Sequence, residues 1–181
     1  IARLERYKEM KLSEHFSLEE MTKSQTALRR NLPNQPSEAQ TEAMVLLCEN
    51  VLEPVRSHFS IPFTPSSGYR SAELCVAIGS SVSSQHAKGE AVDFEVPSIS
   101  NLELCTWIIN NLDFDQLILE CYTGGNTGWV HCSYKAEGNR KEVLTYDTEH
   151  GYRKGLLTQN GPAALWATAD PITGGELINL F

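Results

Sequence analysis

Apolar and polar positions along the chain follow two rhythms, and the change from one to the other separates an earlier helical part from a later strand-bearing part. From Ser37 onward, Ala43, Leu47, Val51 and Val55, with Met44, Cys48, Leu52 and Phe59, recur at three- and four-residue spacing, the stripe of an amphipathic helix. Pro54 lies inside this run. It has no amide donor and its ring crowds the preceding turn, so it should kink or split the helix. Upstream, LSEHFSLEEMTKSQTA holds one short helical stretch, with Ser17 as N-cap before Leu18, Glu19 and Glu20. NLPNQPSEAQ is a loop marked by Pro33 and Pro36. SAELCVAIG predicts a short helix that stops at Gly79, and Ile99 to Asn110 another amphipathic helix whose end the Asn110-Asn111 pair marks.

The two-residue rhythm begins with EAVDFEV, which alternates as a half-buried strand would. DQLILEC and TGWVHCSY are two further strands, joined by the turn sequence YTGGN, and RKEVLTYD is a third. IPFTPSSGYRS reads as a short extended segment turning at Gly68, and SSVSSQHAKG as a polar loop. Runs of helix followed by runs of antiparallel strand imply an α+β domain. From about Thr148 the chain holds GYRKG, NGP and TGG with little periodicity. The expected organisation is therefore a domain over 1–147 and an extension over 148–181, either loosely packed or partner-binding. No internal repeat or low-complexity tract interrupts it.

Composition narrows the function. The 181 residues suit one compact domain. A formal charge of −8 and a pI near 5.1 repel phosphate, which excludes a nucleic-acid binder. No stretch approaches the roughly 18 apolar residues of a membrane span. The opening IARLERYKEM is charged and lacks the apolar core of a secretory signal. A start at Ile1 instead of methionine suggests a processed or trimmed chain, which leaves secretion open. The five cysteines, Cys48, Cys75, Cys105, Cys121 and Cys132, are scattered and form no CxxC pair, so neither a disulfide framework nor a cysteine zinc knuckle is indicated. Three fall in apolar segments, where a free thiol acts as a small core residue, and this favours folding in a reducing compartment.

Two short segments concentrate metal-capable side chains beside glycines and strand signals. SSQHAKGEAVDFEV carries His86 and Asp93, and GWVHCS carries His131 in a strand. Hydrolase zinc sites take three nitrogen or oxygen ligands from the protein and keep one position open, and two histidines with one carboxylate make such a set. A water in the open position loses its proton near neutral pH and becomes the nucleophile. His15, His58 and His150 read as satisfied polar residues. Cys132 adjoins His131 in a strand, so the two point to opposite faces, and no cysteine nucleophile is indicated.

SSQHAKGEAVDFEV fits the SxHxxGxAxD signature and resembles the M15 family of zinc peptidases, which includes D-Ala-D-Ala carboxypeptidases and phage L-alanyl-D-glutamate endopeptidases. SGYRS upstream, and FDQLILE and GWVHCSY downstream, occur in the expected order. LSEHFSLEEMTKSQTA looks like the start of the phage-associated branch, so the likeness covers residues 11–147. It implies a hedgehog/DD-peptidase-like α+β fold, a small antiparallel sheet carrying a Zn2+ site with helices packed on it. It makes His86, Asp93 and His131 the zinc ligands and Arg70 a substrate or oxyanion group, for which a planar guanidinium is suited. It gives Ser84 to the substrate or to steadying the metal loop.

Many members carry an acidic residue three positions before the last histidine, where this chain has Gly128. Glu120 at the end of DQLILE is the substitute, on a strand expected to pair with that of His131, with Glu90 and Glu95 as fallbacks. By alternation Glu95 shares a face with Asp93 and Glu90 does not. Trp129 and Tyr134 are candidates for lining the cleft. The implied activity is hydrolysis of a peptide bond in the peptidoglycan stem peptide, by a D,D-carboxypeptidase or an L-alanyl-D-glutamate endopeptidase. The expected protein is a monomer made in a host cytoplasm and acting on the cell wall or periplasm as a phage lysis or virion enzyme. Two rivals stand beside it: a hedgehog-like zinc-binding module without activity, favoured if Glu120 points away from the metal, and a virion structural or assembly protein docking through the extension.

Overall fold

A computed structural model of the protein describes residues 9–163. Most of the helices precede the strands, and most of their starts are set by side-chain caps. Helix α1 (Leu18–Thr22) begins in a capping box in which the Ser17 hydroxyl accepts from the Glu20 amide and the Glu20 carboxylate accepts from the Ser17 amide. Helix α2 (Gln25–Arg30) is capped by Ser24, and α3 (Glu38–Leu47) by a second box between Ser37 and Gln40. The long apolar stripe then runs through a π-helical turn, Cys48–Leu52, into α4 (Glu53–Phe59). Pro54 occupies the first turn of α4, and the wider turn ahead of it accommodates the missing amide donor. The break expected at Pro54 takes this form. Helix α5 (Ala72–Ala77), capped by Ser71, ends before Gly79 at φ +74°, and α6 (Asn101–Asn111) is capped by Ser100.

The strands are β1 (Ala91–Phe94), β2 (Gln116–Glu120), β3 (Trp129–Ser133), β4 (Glu142–Asp147) and β5 (Gly151–Lys154), hydrogen-bonded in the order β1-β3-β2-β4-β5. A short pair, β6 (Leu157–Thr158) and β7 (Gly161–Pro162), follows. Opposed residues of a ladder share a face. One face holds Val92, Phe94, Leu117, Leu119, Val130 and Cys132, all fully buried against Met44, Leu47, Val51, Leu104 and Ile108 of the helical layer. Each such aliphatic side chain contributes roughly 1.5–3 kcal/mol through burial, so this face anchors the sheet. The register Asp93↔His131↔Ile118 and Trp129↔Glu120 puts the polar positions on the other, open face.

Two sequence expectations change. Strand β2 pairs antiparallel with β3, as the hairpin signal required, but parallel with β4; alternation reports which face a residue takes and carries no strand direction. Strand β1 is buried at all four positions instead of half-buried. Its outer edge is covered because Ser67 bridges to Asp93 and the Ser66 amide donates to the Asp93 carbonyl, while the Asp93 side chain is enclosed by Arg70, His86 and His131. Beyond residue 147 the described chain continues the sheet: β5 pairs with β4, the Leu157 amide donates to Thr145 Oγ1, and Leu156 is buried in the core. The strand Gly151–Lys154 carries only one aromatic and no aliphatic side chain, which hid it from periodicity. Residues 164–181, including the TGG run, lie outside the described residues.

The five cysteines are free thiols, four of them buried, and burial pushes the Cys48, Cys105 and Cys132 thiols well up. They pack as core residues. Among the described residues no helix is long and apolar enough to cross a membrane.

Candidate metal centre

His86, Asp93 and His131 arrive from three separate pieces of backbone and meet as buried groups. His86 stands on a 3₁₀ turn, Gln85–Lys88, whose N-cap Ser84 accepts from the His86 amide through its hydroxyl. Asp93 and His131 are opposed on β1 and β3. Asp93 Oδ1 lies 2.9 Å from His131 Nδ1 and 3.4 Å from His86 Nε2, and the two nitrogens lie 3.2 Å apart. A tetrahedral ion with bonds of about 2.0–2.2 Å spaces its ligand atoms about 3.3–3.6 Å apart. The triangle already sits within a few tenths of an ångström of that spacing.

The protonation pattern supports the same use. His86 Nδ1 lies 2.7 Å from the Gly68 carbonyl oxygen, which only accepts, so the proton of the neutral ring sits on Nδ1 and the Nε2 lone pair faces the cluster. Burial works to raise the Asp93 carboxyl, but its close contacts with His131 and His86 outweigh it and hold the group well below the ordinary carboxylate range. The second oxygen is also committed: Arg70 Nη2 donates to Asp93 Oδ2 at 2.9 Å, and Arg70 Nε to Ser67 Oγ at 3.0 Å. The result is one ionised oxygen and two imidazole nitrogens aimed at one point, a set that suits a divalent ion of borderline character.

These three groups line a cavity of about 370 Å³ that also takes in Arg70, Ser84, Glu120, Trp129 and Tyr152. Glu120, two positions from Ile118 on β2, shares the open face. Burial raises its carboxyl above the ordinary value, as does the Asp93 charge, while His131 and Arg70 pull it back. Gly128 explains why no acid stands three residues before His131. It has φ +68°, and a Cβ there would overlap the Glu120 carbonyl oxygen. A side chain is excluded at 128, and the nearby carboxylate is that of Glu120.

The fallbacks lie elsewhere. Glu90 accepts from Gln85 Nε2 at 3.2 Å, Glu95 is exposed and accepts from Asn101 Nδ2, and neither lines the cavity. Trp129 lines it, whereas Tyr134 packs on the core. His15 pairs with Glu53, His58 stacks on Trp107 and His150 pairs with Asp147.

The sequence marks Gly68 only as the pivot of a turn, and the structure adds a supporting role for it and for Gln85. Gly68 offers its carbonyl to His86, and its close approach to the Met21 carbonyl leaves no room for a Cβ. Gln85, beside His86, donates to Asp115 Oδ2 at 3.0 Å, and Asp115 is itself held by Arg140 Nη2 at 2.8 Å. Ser67 and Gly68 sit inside SGYRS and were reachable from that motif. Asp115 and Tyr152 carry no local signal.

None of the curated proteins matches the chain. The family model described as Peptidase M15 matches residues 14–133, about two thirds of its length, a span that includes Arg70, Ser84, His86, Asp93, Glu120 and His131. The chain belongs to the M15 peptidase family.

Proposed function

We propose that the protein is a zinc peptidase that hydrolyses a peptide bond in the stem peptide of peptidoglycan, acting on the cell wall as a phage lysis or virion enzyme. The observation that carries this reading is the meeting, in one cavity, of the His86–Asp93–His131 triangle with the Glu120 carboxylate. His86, Asp93 and His131 would hold a divalent ion, which would supply Lewis acidity toward a carbonyl oxygen and a water molecule. Glu120 takes a proton from the attacking water on a carboxylate oxygen and delivers it to the leaving amine. A carboxyl raised by burial is better matched to both transfers near neutral pH than an ordinary one. Arg70 fixes Asp93 through Nη2, and its remaining donors suit a substrate carboxylate or the charge developing on the scissile carbonyl oxygen. Ser84 steadies the turn that presents His86.

The reading as an inactive zinc-binding module needs Glu120 turned away from the cluster, and its place in the cavity favours hydrolysis instead. Purified peptidoglycan digested with and without chelator, with products read by mass spectrometry, tests the proposal. New amino termini at D-Glu identify an endopeptidase and released D-Ala a carboxypeptidase, and either must vanish on chelation. A zinc-loaded protein that releases no product from any wall preparation sinks the proposal.

A further inference from the structure

The open face of the sheet carries a row of four side chains drawn from four strands. The ladders set Trp129 opposite Glu120, Glu120 opposite Tyr146, and Tyr146 opposite Tyr152. Opposed residues lean to the same side, so three aromatic rings flank the Glu120 carboxylate along one line. With strands about 4.8 Å apart, the line is about 14 Å long. The Tyr146 and Tyr152 rings are in contact, with centroids 4.6 Å apart. On the opposite face of β4 and β5, Arg153 is ion-paired with Asp147 at 2.6 Å, which ties the edge strand down.

An exposed tyrosine on an edge strand is ordinary by itself. Tyr152 differs in two respects. It is 63% exposed yet lines the same cavity as His86, Asp93 and Glu120. Its phenol is raised by burial, then by the charge of Glu120, Tyr146 and Asp93, which places it within electrostatic reach of the reacting groups. It also lies beyond residues 14–133, the span matched by the family.

We propose that Tyr152 is a substrate-positioning residue, its ring forming the far end of an aromatic shelf across which an extended peptide of about four residues lies with its scissile bond at the His86–Asp93–His131 end. Four residues at about 3.3 Å each match the length of the row. The inference rests on the peptidase reading for the identity of the occupant.

The probe is a synthetic stem pentapeptide that contains both the L-Ala–D-Glu bond and a terminal D-Ala–D-Ala bond. Its binding to the zinc-loaded full chain and its turnover are measured for the parent, Tyr152→Ala and Tyr152→Phe, with thermal unfolding to confirm that each variant folds. A ring contact predicts that Tyr152→Ala raises Kd and KM about tenfold with kcat within about twofold, and that Tyr152→Phe restores both. Equal binding by parent and Tyr152→Ala, or a loss in kcat with KM unmoved, or a Phe variant as weak as the Ala variant, overturns the proposal. Ring-dependent binding without cleavage keeps the shelf and removes the peptidase reading. A parent that does not bind the pentapeptide removes both.

Discussion

Two buried carboxylates, Asp93 and Asp115, lie on either side of the turn that carries His86, and their surroundings differ in kind. Both are held below the ordinary carboxylate range. Asp115 is surrounded by permanent cations and amide donors: Arg140 donates to both oxygens, Lys135 Nζ stands 3.6 Å away, and Gln85 donates at 3.0 Å. Asp93 meets two imidazoles on one oxygen and a single guanidinium on the other. Imidazoles can give up their protons near neutral pH and present lone pairs, which guanidinium cannot. Asp115 is thus neutralised for good and serves as a structural tie, whereas Asp93 sits in a set that can exchange protons for a metal ion.

The largest expected effect follows from removing the exchangeable partner. Asp93→Ala takes away a ligand and should weaken zinc binding by more than about a hundredfold, measured by competition with a chromogenic chelator. Wild-type affinity in that variant breaks the distinction. Asp115→Ala should do the reverse. It strips the Gln85 and Arg140 donors of their acceptor and should cost about 2–3 kcal/mol in denaturant unfolding, with zinc affinity lowered less than about tenfold. Arg70→Ala sharpens the comparison, because it releases Asp93 Oδ2 without touching the ligand triangle, and a loss of about tenfold in zinc affinity is expected.

The smallest effect is the pH dependence of the structural tie. The Asp115 carboxyl is lowered from 3.8 to about 2 in the folded chain: burial opposes this, and hydrogen bonds and charge from Arg140 overcome it. The unfolded chain therefore binds this proton first. The stabilisation is complete above about pH 4 and is lost as pH falls through about 2. Unfolding titrations between those limits should show a slope that Asp115→Asn removes.

The same contrast marks what the sequence could reveal. His86, Asp93 and His131 were legible because the signature around them is dense, and helix starts were legible because Ser17 and Ser37 satisfy amides three residues away. Such signals are local. Asp115 finds its partners 25 and 30 positions off, at Arg140 and Gln85, and nothing near it announces them. The tie from Arg70 to Asp93 crosses 23 positions, so nothing near Arg70 in the sequence announces that part of its guanidinium is bound to Asp93. Strand β5 was hidden for a different reason: its residues GYRK carry no apolar alternation, and its pairing with β4 follows from a neighbour already in the sheet.

The central claim is that the triangle holds the metal while Glu120 moves the proton, and Glu120→Gln separates the two most directly. The variant keeps the size of the side chain and removes the titrating group. Bound zinc measured by elemental analysis and cleavage of peptidoglycan should part company, with zinc retained at the parental stoichiometry and the cleavage rate down by about a hundredfold or more. Parental cleavage by the zinc-loaded variant would contradict the account.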